Sequence, residues 1–456
     1  MDQEIFKDFD IVGVYPDQLA EEDAWKIGCA TARFLPSLMT GYERGQVGAQ
    51  VICVGRDMRS HSEPLAQALM AGIRSAGMGV IDIGAIDTPQ MCFAVNHFKT
   101  CGGIQVTASH HPIKYNGFKI CGQGGVPITV DTGLKEIEHL ALAMPHTKGN
   151  PTGAVRREDL TSEYRKHVLQ FLQPSVGEMK IAVDASNGMA GKMLPLLFAG
   201  TPIEMLEINF DHEGKFKHSP EPTKETNLRQ VKSAVKRQKC HFGLCFDGDA
   251  DRLMTVDEKG KPVGCDLLTA LLAPYFLEKK PRAAVVYDVR SSRVVMEEII
   301  KHGGTPRRER VGHAYVRKAM RDSHAVFGGE LSGHFYYADN FSADSAVITL
   351  VHLLNALSEQ DLPISELIAP LRRYAGSGEV SFKVENRAVK MEELTRRYAD
   401  GQVDRLDGVT VGYKEWWFNC RPSHTEPVLR LNVEARTPEM LDEKLAELEE
   451  HLGKSV

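Results

Sequence analysis

The stretch Asp247-Gly-Asp-Ala-Asp-Arg252 sets three carboxylates at alternate positions, directly after the apolar run Phe242 to Phe246. Carboxylates crowded in this way repel one another, and their pKa values rise unless a cation relieves the conflict. Hard oxygen ligands suit Mg²⁺ or Ca²⁺. The same aspartates open an EF-hand loop, with Glu258 at its twelfth position. Arg252, however, stands at the sixth, where that loop needs glycine, and the element before it reads as a strand. The EF-hand is therefore rejected, which leaves a metal loop or a solvated acidic turn. Mg²⁺ keeps few protein ligands and shares phosphate oxygens with them, so a three-aspartate site asks for a phosphate.

Ser109 can supply one. Ile104 to Thr107 read as a short strand, and Thr107-Ala-Ser-His-His-Pro112 as the polar loop at its end. Pro112 biases His111 away from helix and keeps the loop open. Lys119 follows a Tyr-Asn-Gly turn and returns as a cation or proton donor. Alone, this segment reads as an ordinary strand and loop with two surface histidines. Together, serine, metal and lysine point to phosphoryl transfer through a phospho-enzyme, with Arg252 balancing charge on the transferring group.

Two further loops carry polar clusters. Gly329-Glu-Leu-Ser-Gly-His334 offers an acceptor in Glu330, a hydroxyl in Ser332 and a donor in His334, a set that suits vicinal sugar hydroxyls. It equally fits a Gly-rich turn with a capped helix. Arg421-Pro-Ser-His-Thr-Glu-Pro427 joins a guanidinium to the hydroxyls of Ser423 and Thr425, equipment for a phosphate dianion. Its alternative is a surface turn in which Arg421 pairs with Glu426. No Gly-x-x-x-x-Gly-Lys run occurs, which disfavours an ordinary nucleotide kinase.

The elements that must position these loops follow one grammar. Strands and helices alternate, and three successive segments each carry a strand ending in an aspartate-bearing loop, at Asp57, Asp184 and Asp288. This reads as a weak internal repeat of one α/β unit. From Gly378 the alternation is that of an antiparallel sheet, closed by a helix over Pro438 to Leu452. The expected domains are 1–148 with the serine loop, 149–256 with the metal loop, 257–370 with the Glu330 loop, and a smaller α+β domain over 371–456. Pro145 to Gly153 reads as a linker.

The 456 residues are too many for one core. The net charge of −6 gives no general reason to bind nucleic acid. No apolar run approaches a membrane span, and the mixed, acidic start is not a secretion signal. Nine scattered cysteines without a Cys-x-x-Cys pair argue for reduced thiols in a cytoplasm and against zinc.

Four ordered motifs make the chain resemble the α-D-phosphohexomutases, and among them the phosphomannomutase/phosphoglucomutase group. These are Thr107-Ala-Ser-His-His-Pro with Asn116-Gly-Phe-Lys, Asp247-Gly-Asp-Ala-Asp-Arg, Gly329-Glu-Leu-Ser-Gly-His, and Arg421-Pro-Ser-His-Thr-Glu-Pro. The resemblance spans essentially the whole chain. It implies three similar α/β domains and a fourth of different fold around one cleft. It also implies that a phosphate on Ser109 passes to the free hydroxyl of a hexose monophosphate. A sugar 1,6-bisphosphate forms, turns over, and returns its other phosphate to Ser109.

One Mg²⁺ would then lie between Ser109, Asp247, Asp249 and Asp251. Lys119 and His334 would do acid/base work, with His313 a neighbour. Glu330 and Ser332 would bind sugar hydroxyls, Arg421, Ser423 and Thr425 the phosphate not in transfer, and glucose 1,6-bisphosphate would activate.

The chain departs from the group's pattern at identifiable places. Histidine replaces the usual asparagine at His111 and His424, which introduces groups that titrate near neutrality. Phe9-Asp-Ile-Val-Gly13 lacks the usual tyrosine and arginine, a loss for which Arg56 and Arg59 are candidates to compensate. Leu331 stands where the glucosamine-phosphate mutases typically carry glutamine, so mannose and glucose phosphates are the expected substrates and glucosamine phosphate the alternative. A phosphatase and a non-catalytic sugar-phosphate-binding protein remain as readings of other classes.

Overall fold

The computed structural model describes residues 1–39, 47–145, 150–423 and 427–455. The chain divides into two compact units, 1–263 with 332–364, and 264–331 with 365–456.

The first unit holds two mixed sheets. In one, parallel strands Val51–Arg56, Gly79–Ala85 and Gly102–Val106 lie together, and Tyr115–Gly122 and Ile11–Val14 extend the sheet antiparallel beyond Gly102–Val106. Strand interiors such as Ile52, Val54, Ile104 and Val106 are buried, which is why these runs are apolar rather than alternating. Helices Glu21–Phe34 and Ser62–Ser75 cross at van der Waals distance because each brings a glycine to the contact. A β-carbon on Gly28 would stand 2.2 Å from the Leu69 carbonyl oxygen, and one on Gly72 2.0 Å from that of Trp25.

The far edge of this sheet is Val155–Arg157, parallel to Gly79–Ala85. The segment just past residue 148, expected to open the second domain, thus supplies the last strand of the first sheet. Polar, exposed Val-Arg-Arg gives no alternation to read, so only the pairing reveals it.

The second sheet runs Pro262–Val263, Leu253–Val256, Phe242–Phe246, Met179–Asp184, Ile203–Ile208, with the last three parallel. A hairpin, Phe335–Tyr337 with Ala343–Asp344, precedes helix Ala346–Gln360. The Ser345 hydroxyl caps that helix by accepting from the Ile348 amide.

The second unit contains parallel strands Thr305–Glu309, Ala284–Asp288 and Phe327–Gly329. It also contains an antiparallel sheet in the order Ala375–Phe382, Leu429–Ala435, Trp416–Pro422, Val409–Gly412, Gln402–Asp404. Helices Arg387–Arg397 and Pro438–Leu452 accompany this sheet, and Leu394, Leu448 and Leu452 join its core. No described helix is long and apolar enough to cross a membrane. No disulfide joins any of the nine cysteines, and burial pushes Cys53 and Cys101 up to about 12.

The repeat seen in sequence has a structural meaning. Asp57, Asp184 and Asp288 each end a strand and accept the amide two residues on, at 3.0, 2.9 and 2.7 Å. Each of these turns also reaches the end of the neighbouring parallel strand. Asp57 accepts from the Thr107 hydroxyl, Asp288 accepts from the Leu331 amide, and Ser186 in the turn after Asp184 donates to the Phe246 carbonyl. The neighbouring ends carry Ser109, the Glu330 loop and Asp247.

Candidate active site

Ser109 lies in the left-handed region at φ 47°, an unfavourable conformation for a non-glycine residue. Arg59 holds it there. This buried guanidinium uses all five N–H groups: on the Asp57 carboxylate, and on the carbonyls of Ser109, His111, Pro112 and Tyr115 at 2.7–3.0 Å. Arg59 is therefore committed to the loop backbone, and Arg56 pairs with Glu63 at the surface. Arg59 brings its charge to the site through the Ser109 carbonyl and Asp249, and Arg56 is engaged with Glu63. The signal for Arg59 lay in the Arg-Asp-Met-Arg spacing, but only its contacts show the role.

The serine and aspartate loops meet directly. Ser109 Oγ donates to Asp247 Oδ2 at 3.1 Å across 138 positions of sequence. Gly248 allows the approach, since a β-carbon there would stand 2.4 Å from the Ser109 carbonyl oxygen. Arg252 Nε donates to the same Asp247 oxygen at 2.9 Å. Lys119 donates to Asp249 and Asp251 at 2.7 and 2.6 Å. Thr88, a residue the sequence reading missed, adds its hydroxyl to Asp249 Oδ2 at 2.5 Å.

The three aspartates fit a divalent cation. Their oxygens lie within 4.8 Å of one another, and all three residues are buried. Oδ1 of Asp249 and Oδ1 of Asp251 are buried without a partner among the described residues. Such orphaned acceptors cost roughly 1–3 kcal/mol each unless something coordinates them. Burial, with the charges of Asp251 and Asp249, pushes the Asp247 carboxyl well above the usual range. Burial opposes the ammonium of Lys119, but Asp249 and Asp251 outweigh it and hold the pKa well above its ordinary value. In this geometry Lys119 is a charged donor.

His334 Nδ1 donates to Asp344 Oδ2 at 2.8 Å, which directs the lone pair to Nε2. Asp344 had no signal in sequence, since the hairpin that returns it was not foreseen. Asp251, His334 and Asp344 also cluster within 4.8 Å, so the histidine stands beside the aspartate trio. His110 Nδ1 lies 3.4 Å from Ser109 Oγ. Burial lowers the His110 and His111 pKa values, in His111 against the pull of Asp10.

The remaining predicted residues distribute as follows. In the first unit, Ser332 Oγ is buried without a partner among the described residues. In the second, Glu330 accepts the Gly312 amide at 3.0 Å, one residue before His313 opens helix His313–Ser323. Arg421 and Ser423 are buried, and Thr425 and His424 lie outside the described residues. Arg421 joins two cations that the sequence reading did not name, Arg290 and Arg430, around Glu379.

A serine held under strain against a cation-ready carboxylate trio, with a lysine and an aspartate-backed histidine alongside, has the make-up of a phosphoryl-transfer centre. Comparison with known proteins agrees. Models of the phosphoglucomutase/phosphomannomutase family match its α/β/α domain I at residues 3–145, domain II at 162–260, domain III at 265–374 and its C-terminal domain at 379–451. A phosphomannomutase of Vibrio cholerae is 34% identical over 97% of each chain. One from Escherichia coli K12 is 33% identical over 94% of each. A crystal structure of a family member from Burkholderia thailandensis superimposes with a TM-score of 0.87 at 29% identity, covering 100% of this chain and 99% of that one. The chain belongs to the phosphoglucomutase/phosphomannomutase family of phosphohexomutases, a family of isomerases.

Proposed function

We propose that this protein interconverts mannose 1-phosphate and mannose 6-phosphate, and the glucose pair as well, through a phosphate carried on Ser109. The observation that carries the reading is Ser109 Oγ at 3.1 Å from Asp247, beside two carboxylates with unfilled oxygens. Relatives named phosphomannomutase over nearly the full chain support mannose as the first substrate.

The free hydroxyl of the sugar attacks phosphorus on Ser109. The new O–P bond forms as the bond to Oγ breaks, and the hydroxyl proton passes to His334 Nε2, whose ring Asp344 orients. Lys119 donates to the transferring group, and Arg252 balances its charge. The bisphosphate then presents its other phosphate, and the same steps run in reverse. Glu330, Ser332 and His313 bind the sugar, the first two through its hydroxyls. Arg421, Ser423 and Thr425 hold the phosphate not in transfer. Mg²⁺, held by Asp247, Asp249, Asp251 and the serine phosphate, supplies Lewis-acid stabilisation of the charge in transfer. Glucose 1,6-bisphosphate primes Ser109. Nine cysteines without a disulfide are in keeping with a cytoplasmic setting.

The test follows mannose 1-phosphate to mannose 6-phosphate, with glucose 1-phosphate in parallel, given Mg²⁺ and a trace of glucose 1,6-bisphosphate. Isomerisation that Ser109→Ala abolishes is expected. Its absence with both sugars, from protein shown to carry phosphate on Ser109, defeats the reading.

A further inference from the structure

Glu379 sits where strand Ala375–Phe382 shifts register against its neighbour, directly after Gly378 at φ 66°. Its Oε2 accepts from Arg421 Nη2 at 2.5 Å, and its Oε1 from Arg430 Nη1 at 2.7 Å. Arg290 Nη1 lies 3.6 Å from Oε2. The Arg421 and Arg290 side chains are only 2% and 8% exposed. Two oxygens of one anion, met from several sides by guanidinium forks, is the arrangement in which proteins hold phosphate. Here an internal carboxylate fills it.

The filling is incomplete. Arg421 Nε is buried without a partner among the described residues. A carboxylate offers two oxygens where a phosphate dianion offers three, so a further acceptor has a donor waiting. The charges point the same way. Among the described residues Arg290, Arg421 and Arg430 face Asp288, Glu330 and Glu379, and Asp407 also acts on Arg421. A dianion entering beside an ionised Glu379 meets no net positive charge there. One that displaces Glu379 from the forks meets one negative charge fewer. Burial works against ionisation of Glu379, but Arg421, Arg290 and Arg430 outweigh it and hold the carboxyl below its usual range, so the competitor stays charged at neutral pH.

We propose that Glu379 is a built-in stand-in for phosphate, which competes with the substrate for Arg421 and Arg430 and so limits how tightly the phosphate is held. The proposal rests on the reading of Arg421 as a phosphate ligand, and it deepens that reading. A mutase whose bisphosphate must present first one end and then the other has to release each phosphate within a turnover. Without Glu379, the buried Arg421 guanidinium would hold a dianion too long, and would lack its carboxylate partner when the dianion departed. A carboxylate that returns as the phosphate leaves removes both difficulties. Its effect on affinity is that of any competing state: the apparent dissociation constant is the intrinsic one divided by the share of molecules in which the forks are free of Glu379.

The test titrates inorganic phosphate into the full chain carrying Ser109→Ala, in metal-free buffer, by calorimetry at pH 7.5. Four forms are compared: otherwise unchanged, Glu379→Gln, Arg421→Gln, and both together. Glutamine keeps one acceptor for Arg421 and removes the charge. Glu379→Gln is expected to tighten phosphate about fivefold or more, and the gain is expected to vanish in the double variant. Unchanged or weaker binding in Glu379→Gln, with Arg421→Gln still weakening it, overturns the proposal and leaves the phosphate reading standing. Binding that ignores Arg421→Gln overturns both. Should Glu379→Gln fold poorly, Glu379→Asp draws the carboxylate back by one methylene. It is expected to tighten phosphate to a smaller degree, and no tightening counts equally against the proposal. In the active enzyme, Glu379→Gln is expected to lower KM for mannose 1-phosphate and to lower kcat with it, a split that a purely structural defect does not produce.

Discussion

Gly248 and Ser109 touch backbone to backbone: a β-carbon on the glycine would stand 2.4 Å from the serine carbonyl oxygen. The contact joins the Asp247 loop to the serine loop and fixes Ser109 Oγ beside Asp247. Gly248→Ala is therefore expected to force the loops apart and to lower kcat about 100-fold with KM for the sugar phosphate little changed, since small misplacements of reacting groups cost on that order. Steady-state kinetics with mannose 1-phosphate check this, and a kcat within twofold of the parent would show that the loops yield freely.

Arg59 and Arg56 lie three residues apart and have opposite fates on substitution. Arg59→Lys keeps the charge but cannot span four carbonyls and a carboxylate. It is expected to lower kcat by about 100-fold and to lower the melting temperature, because buried carbonyls lose their donors at about 1–3 kcal/mol apiece. Arg56→Lys affects a part-exposed pair with Glu63 and is expected to stay within about 0.5 kcal/mol of the parent. Thermal unfolding and turnover of the two variants side by side give the comparison.

A divalent cation that fills the orphaned oxygens of Asp249 and Asp251 stabilises the folded state by mass action, about 2.7 kcal/mol at one hundred times its dissociation constant. Mg²⁺ is expected to raise the melting temperature of the parent and to leave that of Asp249→Ala unmoved. Scanning calorimetry with and without EDTA reads the difference, and an equal rise in both proteins would place the cation elsewhere.

Asp87 is wholly buried, and burial pushes its carboxyl up to about 7, with Asp249 adding to the effect. An unfolded chain ionises this group near 4, so between pH 4 and 7 the folded state holds a proton that the unfolded state has lost, and stability falls as pH rises through that window. Asn keeps the cap that Asp87 gives the Gln90 amide without the charge. Metal-free Asp87→Asn is expected to gain on the parent steadily from pH 4 to 7 and to keep a constant advantage above. A constant difference across pH 4 to 8 would mean that the group titrates alike in both states.

Asp344 sets the tautomer of His334. Asp344→Asn is expected to lower kcat about 100-fold or more and to shift the alkaline or acid limb of the pH–rate profile, while phosphate affinity at the Arg421 cluster stays as it was. An unaltered pH profile would reduce Asp344 to a structural role.

What could be read from the chain before its fold divides along a physical line. Residues whose chemistry is local were legible: three aspartates in five positions, a serine between small neighbours at a strand end, an arginine with hydroxyls in one turn. Buried strands declared themselves by unbroken apolar runs, as Phe242–Phe246 does to the residue. Partners supplied from a distance were not legible. Thr88 reaches Asp249 across 161 positions, and Glu379 reaches Arg421 across 42. Asp344 is returned to His334 by a hairpin with strands of three and two residues. Exposed Val155–Arg157, lacking any periodic apolar face, hid its place in the first sheet. The burial that lowers the His111 pKa likewise belongs to the tertiary structure and not to the motif.

The aspartate turns at 57, 184 and 288 share one further property. Each secures a loop through backbone or through residues behind its tip, and none grips the reacting atom itself. The tip is thus released from the duty of holding its own shape. One ancestral brace could therefore be copied three times while the residue it presents diverged, to Ser109 in the first copy, Asp247 in the second and Glu330 in the third. A division of labour among tips, on a mounting that never changed, is what that arrangement makes available.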